Sequence, residues 1–241
     1  MGKLSTCESN MDILTFFDID NTLIQSSTGH VEALLLSIAE VYGLEASIEV
    51  INHHGMTDQE IITRLLEEYG IDRAATKSGL KDCMESMSRK YAEIVNSEKI
   101  VVMEGVFDLL PKLEQNGVIL GLVTGNLEKI ARCKLKKIGI DQFFKTGGFG
   151  SDHINRGELV KIAIQRAGDR FNCGDKQRVF HFGDAPQDMR AGRAAGVVPV
   201  GVATGVFTAE QLTSAGAEIV FPDLKEKDGI LRFLQGFLYR V

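Results

Sequence analysis

Four short apolar runs recur along the chain: ILTFF (13–17), VILGLV (118–123), RVFHF (178–182) and VVPVGVA (197–203). Each is bounded by glycine or polar residues and is apolar throughout rather than at alternate positions. That pattern belongs to strands covered on both faces, as in a parallel sheet. Helical periods separate the later runs. NLEKIARCKLKKIG opens with Asn126 as N-cap and stops at Gly139, while GELVKIAIQRAG carries Leu159, Ile162, Ala163 and Ala167 at helical spacing and stops at Gly168. Strand alternating with helix predicts an α/β protein with a Rossmann-like parallel sheet core and right-handed crossovers.

Between the first two runs the rhythm breaks. From Ser26 to Met103 the chain reads as helix after helix with no strand, far longer than one crossover requires. GHVEALLLSIAEVYG places Val31, Leu34, Leu35 and Ile38 on one face. TDQEIITRLLEEYG opens with a capping box, Thr57 with Glu60 three residues on, and closes at Gly70. A third pattern through Met84, Met87, Tyr91 and Ile94 reads as core packing. The expected organisation is an α/β core of residues 11–25 plus 104–241 with an inserted all-α cap of residues 26–103. Pro111, inside GVFDLLPKLEQNG, costs its helix one hydrogen bond if that helix begins near Val106.

Composition removes several classes of function. The chain has 241 residues, 44% hydrophobic and 25% charged, which is enough for a full core without staples. A net charge of −6 and a pI of about 5.5 argue against nucleic acid or an anionic membrane as partner. Cys7, Cys83, Cys133 and Cys173 are scattered with no C-x-x-C pair, so reduced, packed thiols are expected. No apolar stretch precedes the first run. VEALLLSIAEVY is broken by Glu32 and Glu40 and is too short to span a bilayer. The expectation is a cytoplasmic protein acting on a small metabolite.

The first run ends in two acids, Asp18 and Asp20, in DIDNT. In an open α/β sheet, ligands bind beyond the carboxyl ends of the strands. The second run ends in Thr124, then Gly125 and Asn126 entering a helix, where N–H groups and a hydroxyl make an anion site. RVFHFGDAPQD ends in Asp184 and Asp188, and GSDHINRGELV brings Arg156 to a helix start. Crowded carboxylates require a cation, and hard oxygen ligands with room for water select Mg²⁺. A dication beside N–H, hydroxyl and guanidinium donors describes a site for phosphate. The lysines and arginine of EKIARCKLKKIG read as a solvated helix face, and His181, at mid-strand, as a core histidine.

These residues carry a resemblance. DIDNT matches D-x-D-x-T, LVTGN the second motif and FGDAPQD the G-D-x-x-x-D motif of the haloacid dehalogenase superfamily, in the family's order. The helical insertion after the first strand, together with HGMTDQEI and FGSDHINRGELV, is similar to the phosphoglycolate-phosphatase-type hydrolases. The resemblance implies Asp18 as nucleophile forming an aspartyl-phosphate, and Asp20 as acid and then base. It implies Mg²⁺ held by Asp18, the Asp20 carbonyl and Asp184, with Asp188 orienting that side. Thr124, Gly125, Asn126 and Arg156 would bind phosphate. The family usually carries lysine in its third motif, where Arg156 stands here, and Lys161 is the competitor.

Specificity is expected in the loop NHHGMTD, where His53, His54 and Thr57 flank Gly55 and no large apolar pocket is evident. These are donors for a compact acidic substrate such as 2-phosphoglycolate. Two other functions stay open: a phosphomutase of the same superfamily, which shares every one of these residues, and a non-enzymatic metabolite-binding module.

Overall fold

The computed structural model describes residues 13–26, 28–172 and 178–236, so Cys7 and Cys173 lie outside the described residues. In chain order the first elements are β1 (Ile13–Phe17), β2 (Ile24–Ser26), α1 (Gly29–Tyr42), α2 (Asp58–Glu68), α3 (Arg73–Ile94) and β3 (Ile100–Val102). Then come α4 (Val106–Gln115), β4 (Ile119–Thr124), α5 (Glu128–Lys137), β5 (Thr146–Phe149), α6 (Arg156–Phe171) and β6 (Arg178–Gly183). The chain continues with α7 (Pro186–Ala194), β7 (Val198–Val202), α8 (Ala209–Ser214), β8 (Ile219–Phe221) and α9 (Lys227–Gly236).

Six strands form one sheet in the order β5-β4-β1-β6-β7-β8, and every pairing is parallel. The apolar runs explain this. All five residues of β1 are buried, because helices cover both faces of the sheet. On one face Phe17, Leu122, Phe180 and Phe182 meet α4 and α9; on the other Leu14, Phe16 and Val123 meet α6. Phe17 stacks on Phe182 at 4.8 Å between ring centroids.

Two strands of the sheet had no apolar run to announce them. β5 is TGGF, and a Cβ on Gly148 would stand 2.0 Å from the Leu159 carbonyl oxygen, so close packing of α6 requires glycine there. β8 is three residues long. α6 also runs on past Gly168 to Phe171 and ends at Asn172, whose φ of 52° is left-handed. A helix glycine costs only about 1 kcal/mol against alanine, so Gly168 does not stop it. α4 does begin at Val106 and accommodates Pro111.

The stretch expected to lack strands carries short ones at its ends. β2 and β3 pair antiparallel, with Ile24 opposite Val102. Three residues are too few to show an alternating pattern. Between them, α1, α2 and α3 share a core of Leu34, Ile38, Ile62, Leu65, Met87 and Tyr91, and Leu127 and Ile130 of the α5 segment join it. The inserted helices therefore rest on the helix that follows β4.

Ile130, fully buried in that junction, provides a test. Ile130→Ala is expected to lower unfolding stability by about 2–5 kcal/mol, whereas exposed Lys129→Ala should change it by less than about 0.5 kcal/mol; urea denaturation measures both.

Candidate active site

The carboxyl ends of the central strands converge by register. Phe17 lies beside Leu122 of β4 and Phe182 of β6, so the residues that follow each strand emerge at one edge. The Asp18 N–H donates to the Phe182 carbonyl at 2.9 Å, extending the ladder one residue further and fixing the Asp18 backbone. Asn21 turns the chain away with φ 59°, a left-handed conformation that asparagine tolerates.

Asp18, Asp184 and Asp188 are all buried, and one carboxylate oxygen from each lies within 4.8 Å of the others. Burial pushes the Asp18 carboxyl up to about 7; Arg156 opposes this, while Asp188 and Asp20 add to it. Burial and the charges of Asp18 and Asp188 push Asp184 up to about 8. The Asp18 Oδ1 atom, though buried, accepts no hydrogen bond among the described residues. Three carboxyls against one guanidinium leave a deficit of positive charge, and the donors are hard oxygens. This set fits a dication such as Mg²⁺. Thr22 Oγ1 donates to Asp184 at 3.4 Å, and a Cβ on Gly205 would stand 1.8 Å from Asp184 Oδ2. Both neighbours hold that carboxylate in place.

Arg156 is the first residue of α6, whose N-cap Asn155 accepts the Gly157 N–H at 2.8 Å. Its guanidinium hydrogen-bonds Asp188 and lies 3.7 Å from Asp18 Oδ1. Asp188 also accepts the Ala185 N–H at 3.1 Å, so it links α6 to the loop carrying Asp184. Lys161 is on the surface, paired with Glu158 at 2.7 Å. Of the two cations weighed for phosphate, only Arg156 stands at this edge. His181 is buried at mid-strand, 3.8 Å from Asp188, and burial lowers its pKa to about 4.

The surroundings of Asp20 depart from the sequence reading. Asn126 is not the N-cap of α5; Leu127 holds that position. The Asn126 side chain instead donates to Asp20 Oδ2 at 2.7 Å and to Thr124 Oγ1 at 3.0 Å. Lys134, expected on a solvated face, is 0% exposed. Its Nζ donates to both Asp20 oxygens at 2.7 and 2.8 Å and to Asn126 Oδ1 at 2.7 Å, and meets His30 Nδ1 at 2.9 Å. Burial favours the neutral acid, but Lys134, His30 and the Lys134 and Asn126 hydrogen bonds outweigh it and hold Asp20 well below the usual carboxylate range. A signal was present: Lys134 shares its helix face with buried Ile130, Ala131 and Leu135.

The start of α5 is also engaged. The Leu127 N–H donates to Asp58 Oδ2 at 2.8 Å, and the Asp58 N–H donates to the Gly125 carbonyl at 2.9 Å. A Cβ on Gly125 would stand 2.4 Å from the Met56 carbonyl oxygen, so glycine allows this approach. Thr57 is a helix cap: its hydroxyl accepts the Glu60 N–H at 3.2 Å and donates to the Ile154 carbonyl at 3.0 Å. Its hydroxyl is thus engaged by the helix end and the Ile154 carbonyl.

A cavity of about 250 Å³ opens over Asp18, Asp20 and Asp184, and His53 and His54 line it. Burial and the neighbouring His54 lower the His53 pKa. Contrary to expectation, part of the lining is apolar: Val31, Leu34, Ile48 and Ile61, with Val206 and Phe207 after β7. No helix among the described residues is long and apolar enough to cross a membrane.

Residues 15–202 match the haloacid dehalogenase-like hydrolase family. Phosphoglycolate phosphatase of Pseudomonas putida is 27% identical over 213 residues, covering 88% of this chain and 77% of the relative. Validoxylamine A 7'-phosphate phosphatase of Streptomyces hygroscopicus subsp. limoneus is 27% identical, covering 88% of this chain and 94% of the relative. In fold, the chain is similar to a hydrolase from Pseudomonas syringae of known crystal structure, with a TM-score of 0.67 at 20% identity, covering 92% of this chain and 98% of that one.

The charge balance makes a stability prediction. Arg156→Ala leaves Asp18 and Asp188 buried without their cation, and is expected to cost about 3–5 kcal/mol in urea denaturation without Mg²⁺. Lys161→Ala should stay within about 0.5 kcal/mol. Equal effects would mean that Arg156 does not compensate the carboxyl cluster.

Proposed function

The chain belongs to the haloacid dehalogenase-like hydrolases, and from that premise we propose that it is a Mg²⁺-dependent phosphatase hydrolysing a small phosphomonoester through an aspartyl-phosphate on Asp18. Its class, phosphoric monoester hydrolase, agrees with the names of its relatives. The observation that carries the mechanism is Asp18 at the end of β1, facing Arg156 and packed against Asp184 and Asp188.

In the first displacement an Asp18 oxygen attacks phosphorus, the ester P–O bond breaks, and the leaving oxygen takes a proton from Asp20, which must first be protonated against the pull of Lys134 and Asn126 toward the carboxylate. In the second, water attacks phosphorus, Asp20 accepts the water proton, and the bond from phosphorus to Asp18 breaks. One acid thus serves both steps. Arg156 and the Thr124 hydroxyl bind phosphoryl oxygens and orient them for attack along the axis of the bond that breaks. The Asp18 and Asp184 carboxylates and the Asp20 carbonyl would hold Mg²⁺, which supplies the positive charge that lets a carboxylate approach a phosphate dianion.

For the leaving group, the phosphoglycolate-like reading draws support from the relatives' names and from His53 and His54 in the cavity. A second reading, an uncharged and partly apolar leaving group, is favoured by the wall of Val31, Leu34, Ile48 and Ile61. Relatives at the same 27% identity are named for different esters, so identity does not choose between them.

Asp18→Asn should fold yet lose turnover nearly completely, and Asp20→Asn should lose about 10²- to 10⁴-fold. Phosphate release from a panel of phosphomonoesters, with Mg²⁺ or with chelator, measures both. Near-normal release by Asp18→Asn would remove the covalent mechanism, and undiminished release in chelator would remove the metal. A tenfold or greater preference for 2-phosphoglycolate over neutral alkyl phosphates (roughly 1.4 kcal/mol of discrimination) decides for the first leaving group, and the reverse order for the second.

A further inference from the structure

Lys134 has no part in attack, proton transfer or phosphoryl binding as described above, yet it is the most completely bonded cation at the site. An ammonium has three hydrogens, and three groups receive them: the Asp20 carboxylate, Asn126 Oδ1 and His30 Nδ1. A buried charge is retained only where its hydrogens are all satisfied, and an apolar residue would serve α5 packing better. The His30 ring carries the contact onward. Its Nδ1 faces a donor and therefore accepts, and Nε2 lies 3.0 Å from Asp58 Oδ1, a close contact without hydrogen-bond geometry. Asp58 in turn holds the Leu127 N–H at the start of α5. The contacts close into a ring through Asp20, Lys134, His30, Asp58, Leu127 and its chain neighbour Asn126, whose side chain donates back to Asp20. That ring touches α1 through His30, α2 through Asp58 and α5 through Lys134.

We propose that Lys134 is a positioning residue for Asp20: its ammonium seats the Asp20 carboxylate and ties that seat, through His30 and Asp58, to helices α1 and α2. This rests on the reading of Asp20 as the acid and base. Lys134 then matters only as far as Asp20 does. It matters most where proton delivery to the leaving oxygen is demanding.

The test is a double-variant cycle read on two esters. With Mg²⁺ present, kcat/KM is measured for the wild type, Lys134→Met, Asp20→Asn and the combination, using p-nitrophenyl phosphate and an alkyl phosphate, 2-phosphoglycolate first. Nitrophenolate departs without a proton, so kcat/KM on that ester is insensitive to Asp20. Lys134→Met is expected to lose at least about tenfold more on the alkyl ester than on the aryl ester, and the combined variant to stay within about threefold of Asp20→Asn alone. His30→Ala should show the same ester dependence at smaller size. Where Lys134→Met does not fold, the combined variant, which removes both charges together, and His30→Ala carry the comparison. Equal losses on the two esters, or losses that multiply in the combined variant, overturn the role of Lys134 while Asp20→Asn remains defective. Full alkyl-ester activity in Asp20→Asn overturns both this role and the assignment of Asp20.

Discussion

The structure depends on holding three carboxyl groups, Asp18, Asp184 and Asp188, together out of water at one edge of a sheet. Like charges at this spacing repel strongly in a dry site, and a flexible loop would relax them apart. The parallel sheet prevents that. Asp18 is fixed by a ladder hydrogen bond, and Gly183 and Gly205 leave no room for a Cβ beside Asp188 and Asp184. Arg156 offsets part of the charge. What remains is a donor set that fits a dication.

The same edge explains how the inserted helices are attached. A helix N-terminus carries unsatisfied N–H groups and partial positive charge. At α5 that end is taken by Asp58, from the start of α2, while Leu127 and Ile130 pack into the core of α1, α2 and α3. The anion site expected at Gly125 and Asn126 is thus shared with a protein carboxylate. Arg156, which lines the cavity, remains a cationic donor at this edge.

Much of the fold was legible in the sequence because each central strand announces itself by a continuous apolar run ending in polar residues. Asp18 follows such a run directly and Asp184 one residue later, and so the meeting of these two acids could be anticipated. Strands β5 and β8 could not. One is built of glycines that let α6 approach, and the other is too short to show a period. Arg156 was legible from its place at a helix start, but its preference over Lys161 needed the structure. Lys134 was misread because a lysine in a basic helix looks solvated, although its position on the face of Ile130 and Leu135 pointed inward. Asn126 was misread in a similar way, since its side chain serves Asp20 rather than the helix end.

Hydrolase and mutase share the residues around phosphorus, so the distinction lies in what accepts the phosphoryl group from Asp18. Water needs little more than a base. Asp20, held as a carboxylate by Lys134 and Asn126, is already in the form that takes a proton. A sugar hydroxyl must be brought to the same point and oriented, which requires polar groups arranged along the opposite wall. The side chains of Val31, Leu34, Ile48 and Ile61, which line the cavity, have no donors or acceptors to orient it, whereas His30 and Asn126 do. His53 and His54 lie to one side and stack on each other, with ring centroids 5.0 Å apart. The proposed hydrolysis asks less of this lining than transfer to a sugar would, because water needs a base and no oriented binding surface.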